Sequence, residues 1–446
     1  MQFDAGPIIS YDQSVDGFPR MRVAGPFIEQ QADAQQRFRA VRPFYSRTSD
    51  ASTSRTVQDF LWPWGSVRHR DAEVDWRFIP AYGHNFDRND PDSRYRWAVF
   101  PVLFRGRAAN GERYLAVFPL GGTLRDFLGR DKIEFVLFPV YARIEFKELV
   151  THSVLWPVGS RTTGPGVHRY RVFPFYGYSH REGQWTKRFV AWPIWTSVRY
   201  HDTTDPDDGG FILFPFFGRV DVGERTSRMR LPPFFKLERA PGHWALNAPW
   251  PFIRISRGEI DRTYIWPLWG QRVIGARRSG YAMWPVVSWD RIDRVDHTVV
   301  IRRLFPFWYS EANRPVNGDD PVLARHAKLW PVFGYRREGD RSRFRVPELW
   351  PMRDMQGVER NWAPWWALVY RARSGEQRET EVLWGLYRHQ RSENASRRSV
   401  FPLLSTEFDR EADMRGWSAL AGVVRYRREG VDRQLRLLYV LKLRLP

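Results

Sequence analysis

Cysteine is absent from the 446 residues. That excludes disulfides, thiolate metal sites and a cysteine nucleophile, and it suits an envelope protein exposed to stray oxidation. Long apolar runs are absent too, since nothing approaches the ~18 consecutive apolar residues of a membrane-crossing helix. The opening MQFDAGPIIS has no basic segment followed by an apolar one, so no signal peptide is present in this sequence. Helical spacing is missing from every long window; the two short candidates are Leu124 to Gly129, ended by its glycine, and residues 29–38. Phosphate loop, zinc spacing and nucleophile elbow are missing as well, and the 10 histidines are scattered. The expectation is a non-enzymatic protein without a cofactor.

What is present is apolar, aromatic and basic: 43% hydrophobic, 16% aromatic, net charge +20, with arginine far ahead of lysine. Such a balance invites an anionic lipid, lipopolysaccharide or nucleic acid. The arginines stand singly along the chain, with no basic block, which argues against nucleic acid.

The organising signal is a phrase of apolar residue, aromatic, proline, apolar residue. It occurs twice in the stretch from Ile133 to Gly159, as Leu137-Phe138-Pro139-Val140 and Leu155-Trp156-Pro157-Val158. Nineteen in-register prolines from Pro7 to Pro351 carry it at a mean spacing of about 19 residues, a repeat architecture. Val, Ile, Phe, Tyr and Trp around the prolines read as strand. Connections such as Arg181-Glu182-Gly183 and Arg337-Glu338-Gly339-Asp340 read as turns between antiparallel neighbours. The fold class is therefore all-β: an up-and-down meander of about twenty strand repeats, one per phrase, in a single domain over 1–446. Asp/Pro-rich connections recur after Pro80, Pro193 and Pro306, 113 residues apart, which suggests six-strand sub-units.

Read straight through the prolines, each strand is apolar on both faces at its middle and cationic at its ends. The last one has Leu435, Leu437, Tyr439, Leu441 and Leu443 on one side. Two apolar faces need two covers, and no helices supply them. A large closed barrel in the outer membrane is favoured; stacked or propeller-like sheets are the alternative. The aromatic before each proline is read as core. If it is exposed instead, the stripe Phe138, Trp156, Phe173, Trp192 and Phe214 becomes a candidate binding surface.

The run Phe118-Pro119-Leu120-Gly121-Gly122-Thr123, then Leu128-Gly129-Arg130-Asp131 and Phe135-Val136-Leu137-Phe138-Pro139, resembles a family of uncharacterised bacterial proteins built from tandem F-P-aromatic strand repeats. The resemblance covers most of the chain. It implies an exported or envelope protein and brings no catalytic residues.

Candidate sites are few. Asp202, Asp205, Asp207 and Asp208 could hold calcium, although aspartate is also the ordinary turn residue. Arg143, Arg199, Arg219 and Arg272, at strand ends, could hold anionic head groups, with solvated strand ends as the plainer reading. The functional expectation is a cell-envelope scaffold or conduit resembling an outer-membrane barrel, with outer-membrane lipid or lipopolysaccharide as partner. A soluble module presenting Arg-rich turns to an anionic polymer or lipid head group is the alternative.

Overall fold

The computed structural model describes residues 3–203, 205, 207–315 and 323–445. Strands hold 62% of the residues and helices 4%. The 46 strands form an antiparallel sheet, and each register joins a strand to its neighbour in chain order, as Val136↔Tyr141 and then Tyr141↔Val154. The expected all-β meander is present.

The phrase, however, is a turn and not a strand. Arg130–Val136 ends before Leu137-Phe138-Pro139-Val140, and Tyr141–Phe146 begins after it. Trp156-Pro157 likewise separates Leu149–Val154 from Gly159–Gly164. Trp192-Pro193 separates Trp185–Val190 from Trp195–Tyr200. One period is therefore two strands, mostly of five or six residues, and two turns. Proline then sits where it removes no ladder donor. Most of these X-Pro bonds are cis, as in the turn class with proline at its third position.

This parity fixes the two edges of the sheet. Two strands separate consecutive proline turns, so those turns all lie on one edge. The opposite edge takes the polar turns, where Gly183, Gly223 and Gly275 supply positive φ of 66°, 53° and 50°. The unequal steps between prolines thus do not distinguish two proline-bearing ends. Faces read straight through a proline also fail, because the chain reverses there: Leu437 pairs with Leu441 across a turn holding Leu438 and Tyr439.

The helix candidates are strands as well. Residues 29–38 fall in Ile28–Ala32 and Gln36–Val41, and Leu124 to Phe127 closes Gly121–Phe127. The α-helices are Gln356–Asn361 and Ala363–Trp366, in the segment where Pro364 falls out of step.

The sheet is not closed, which corrects the expectation of a barrel. The strands are also short for crossing a membrane: five or six residues span roughly 17–20 Å, less than the ~25 Å apolar band of a membrane barrel. An open sheet also leaves edge amides that hydrocarbon cannot satisfy.

Two compact units divide the chain. The central unit, residues 72–285, is a continuous meander from Glu73–Phe78 to Arg277–Ala282. Its core of Ala98, Phe104, Ala116, Leu124, Phe135 and Ala142 lies on one face, carried strand to strand by the register. The terminal unit joins residues up to 71 with those from 286 onward. Its largest fully buried side chains are polar, among them Lys328, Glu348, Asn361 and Asp59. The Asp4, Ser10 and Asp12 face of the first strands packs on the Glu379, Glu381 and Arg388 face of later ones.

Candidate functional site

The proline edge of the central unit is the feature most unlike an ordinary protein surface. Trp156 and Trp192 are each 51% exposed, while Phe138, Phe173 and Phe214 are half-buried. Beside them Leu137, Val140, Leu155, Ile194 and Phe216 are exposed too. The expectation that the aromatic before proline is core is thus corrected for Trp156 and Trp192, which are turn residues on an open edge; Phe138 is also a turn residue but packs against the core of the unit. Rings from successive turns touch, with centroids 5.4 Å apart for Phe118–Phe138, 5.9 Å for Phe138–Trp156 and 5.3 Å for Phe173–Trp192.

The turns also hydrogen-bond to one another. The Phe138 N–H donates to the Pro119 carbonyl (2.8 Å), that of Trp156 to Pro139 (2.8 Å) and that of Trp192 to Pro174 (2.7 Å). Backbone donors at this edge are satisfied within it, so the edge presents apolar side chains rather than bare amides.

Behind the edge stands a row of cations. Arg105, Arg143, Arg161, Arg188, Arg219 and Arg228 each occupy the third strand position from a proline turn, all on one face by register. A rise of about 3.3 Å per residue puts them roughly 7 Å behind the first strand position. Arg143 ion-pairs with Glu134 (3.2 Å) and Glu145 (2.7 Å), and Arg219 and Arg228 share Asp221.

The structure places the four arginines singled out in the sequence differently from one another. Arg143 and Arg219 belong to this row. Arg199 is on the same face but near the polar edge, exposed, opposite Thr186 and Gly209. Arg272 is on the other face, opposite Arg262, whose own guanidinium is pushed down by burial and by Arg254. Arg105, Arg188 and Arg228 were not singled out, although their constant distance from the phrase was readable once the phrase is a turn.

Two of the four aspartates accept backbone N–H groups. Asp208 is buried and both its carboxylate oxygens accept the Gly223 N–H at 2.8 Å. Asp205 accepts the Asp207 N–H at 2.9 Å, and Asp202 is exposed. They are not among the groups that converge on a shared point. Among the described residues those are Glu73, Asp75 and His84, and Asp12, Glu379 and Glu381. His84 lies between two carboxylates, with Nε2 3.0 Å from Glu73 and Nδ1 near Asp75. The Asp/Pro connection around Asp320 lies outside the described residues.

The Asp12, Glu379 and Glu381 group is already filled by arginine. Arg20 lies 3.0 Å from Asp12 and also binds Glu379, while Arg22 binds Glu381. Arg388 lies 3.1 Å from Asp12 and 2.8 Å from Glu381. Burial pushes the Asp12 and Glu381 carboxyls up, but the surrounding guanidiniums outweigh it and hold both below the usual range, Glu381 well below. At Glu379 burial prevails, aided by the neighbouring Glu381, and its carboxyl is pushed up. The adjoining cavity of about 540 Å³ is lined by arginines and carboxylates in near balance. Opposite charges face one another throughout the cluster, although Arg22 Nε and Glu379 Oε2 are buried without a hydrogen-bond partner.

No protein-family model matches the chain, and no curated protein matches it.

Proposed function

We propose that the protein is a non-enzymatic scaffold of the cell envelope that lies on an anionic membrane surface through its proline edge. The observation that carries this reading is the unbroken apolar edge of the central unit, with arginines one short step behind it. Trp, Phe and Leu side chains partition into the headgroup boundary to a depth of about 5–10 Å, which matches the offset of the arginine row. Guanidiniums at that height meet lipid phosphates. Turn amides already bonded along the edge cost little to desolvate. Spanning conduits are not carried forward, because the sheet is open and its strands are short. The protein rests on the bilayer and does not cross it.

The test is co-sedimentation with phosphatidylcholine vesicles with and without phosphatidylglycerol. The full chain should pellet with the anionic vesicles, less so at high salt. The double variant Trp156→Asp, Trp192→Asp should stay in the supernatant, and Arg161→Gln with Arg188→Gln should weaken binding only to anionic vesicles. If the edge instead joins two copies of the chain, the wild type will dimerise in light scattering, the aspartate variant will be monomeric, and neither will bind vesicles. Fractionation of native cells checks location: a peripheral protein leaves the envelope pellet in carbonate without detergent.

A further inference from the structure

The central unit has a second feature besides the membrane edge. A groove of about 950 Å³ lies mainly on the face opposite the arginine row, with Phe173, Arg188 and Trp192 also in its lining. Two register rows cross it. Thr162, Arg169, Ser179 and Lys187 stand side by side in one, and Ser160 and Arg171 adjoin in the next. Hydroxyl side chains keep the floor low and leave the cations standing above it. Arg130 stands at the margin, stacked on Phe146 with its guanidinium 4.9 Å from the ring centre.

No carboxylate lines this groove. In the terminal unit every cation of the buried cluster meets a carboxylate, as Arg20 and Arg388 do. Here the Nε of Arg169 and the Nε of Arg171 are buried with no acceptor in the chain. Burial pushes the Arg169 guanidinium down, and Arg181 and Arg130 push it further. Both side chains are half-buried, and a buried polar atom left without an acceptor is open to a partner from water or from a ligand. Trp185 holds the pair in place, with Arg169 5.4 Å and Lys187 4.3 Å from its ring centre.

We infer that this groove binds a ligand bearing at least two phosphate groups. Strands about 4.8 Å apart put Arg169 and Lys187 roughly 10 Å from one another at the backbone, and two residues along one strand put Arg171 about 7 Å from Arg169. A single phosphate would have to draw all three side chains together against their mutual repulsion, whereas successive phosphates of a chain molecule meet them spread along the groove. The guanidinium forks offer paired donors to phosphate oxygens, and Lys187 adds a point charge. The flanking hydroxyls of Thr162, Ser160 and Ser179 supply further donors. Arg169, Arg171 and Lys187 are not part of the proline edge or the arginine row, although Phe173, Arg188 and Trp192 line the groove's rim, so variants at those three cations test this reading apart from the other.

Calorimetry of the full chain with inorganic tripolyphosphate, and with orthophosphate for comparison, tests the inference. Tripolyphosphate should bind saturably, and orthophosphate far more weakly. Arg169→Gln and Arg171→Gln should each lose about tenfold in affinity, the scale of one charge-assisted hydrogen bond. Lys187→Gln, at an exposed position, keeps the fold and should show a loss in the same direction. Arg199→Gln, on the other face, should bind like wild type. Two further arms separate the sources of phosphate. If the edge variant Leu155→Asp, Trp156→Asp, both exposed and outside the groove, still binds vesicles of phosphatidic acid in an Arg169-dependent way, the ligand is a lipid headgroup; if it binds tripolyphosphate alone, the ligand is soluble. No saturable tripolyphosphate binding, or an equal loss in Arg199→Gln, would overturn the inference.

Discussion

Trp192 illustrates how one residue's role turns on a few ångströms of chain. It is an aromatic next to proline in a β-rich run, the profile of a core residue, yet it stands in a turn and is half exposed. Trp192→Ala should therefore cost under about 1 kcal/mol of stability, the scale of a surface change, where a core tryptophan would cost about 3–5 kcal/mol. Denaturant midpoints decide between them. The opposite holds for Arg388, which is 3% exposed at the side chain and contacts Asp4, Asp12 and Glu381. Arg388→Ala strands buried carboxylates and should cost about 3–5 kcal/mol. Within the same cluster, Glu381→Gln should destabilise more than Glu379→Gln. Glu381 is held charged by Arg22 and Arg388, whereas burial already favours the neutral form of Glu379.

At the scale of the element, the strand pair between two proline turns is the unit, and its two turns differ in kind. Limited proteolysis should cut the polar connections first, around Asp90 and Asp207, which are exposed loop residues. Proline turns bonded edge to edge should resist; early cleavage after Leu137 or Leu155 would contradict that. Gly177 supplies a packing test. A Cβ built there runs into the Phe189 ring on the next strand, so Gly177→Ala should cost about 1–3 kcal/mol through overpacking, read from the thermal midpoint. This scale also shows what could be read in the sequence. The period was legible because proline marks most copies, with Leu383-Trp384-Gly385 and Leu420-Ala421-Gly422 among the exceptions, and so was the β class, from side-chain composition. The strand count was not, because Leu137-Phe138-Pro139-Val140 contains none of the Gly, Asn or Asp that usually announce a reversal. Apolar residues on either side made two strands look like one. The arginine row and the groove were hidden by the same error, since faces can be assigned only after the reversals are placed. In the segment VHRYRV, Arg169 and Arg171 alternate with His168 and Tyr170, so their shared face was written in the order of residues, but nothing there said what lay across from it.

At the scale of the molecule, charge should make stability depend on pH. Burial holds His326 below its ordinary value of 6.5, with Lys328 and Arg336 adding to it against Asp354. Asp12 and Glu381 sit below their ordinary 3.8 and 4.5. A lowered native value gives stability that is whole above the unfolded value and is lost as pH falls below it. The His326 contribution should therefore fade below about pH 6.5, and those of Asp12 and Glu381 below about pH 4.5. Glu379, pushed up, has the reverse sign: its contribution is present below 4.5 and lost as pH rises through its native value. Two carboxylates and one histidine outnumber it, so denaturation at about pH 7.5, 5.5 and 3.5 should give a falling midpoint; a rising one would contradict the arrangement of charges in the terminal unit. The central meander has a different consequence. Every period leaves the proline edge and returns to it, and each strand bonds only to those just before and after it. Excising one period, such as residues 155–172, would return the chain to the same edge, in the same direction and on the same face. Length is thus a free variable in this architecture. A gene encoding it can gain or lose copies by simple duplication and slippage, and the breadth of membrane it covers would change in steps of two strands without any redesign of the rest.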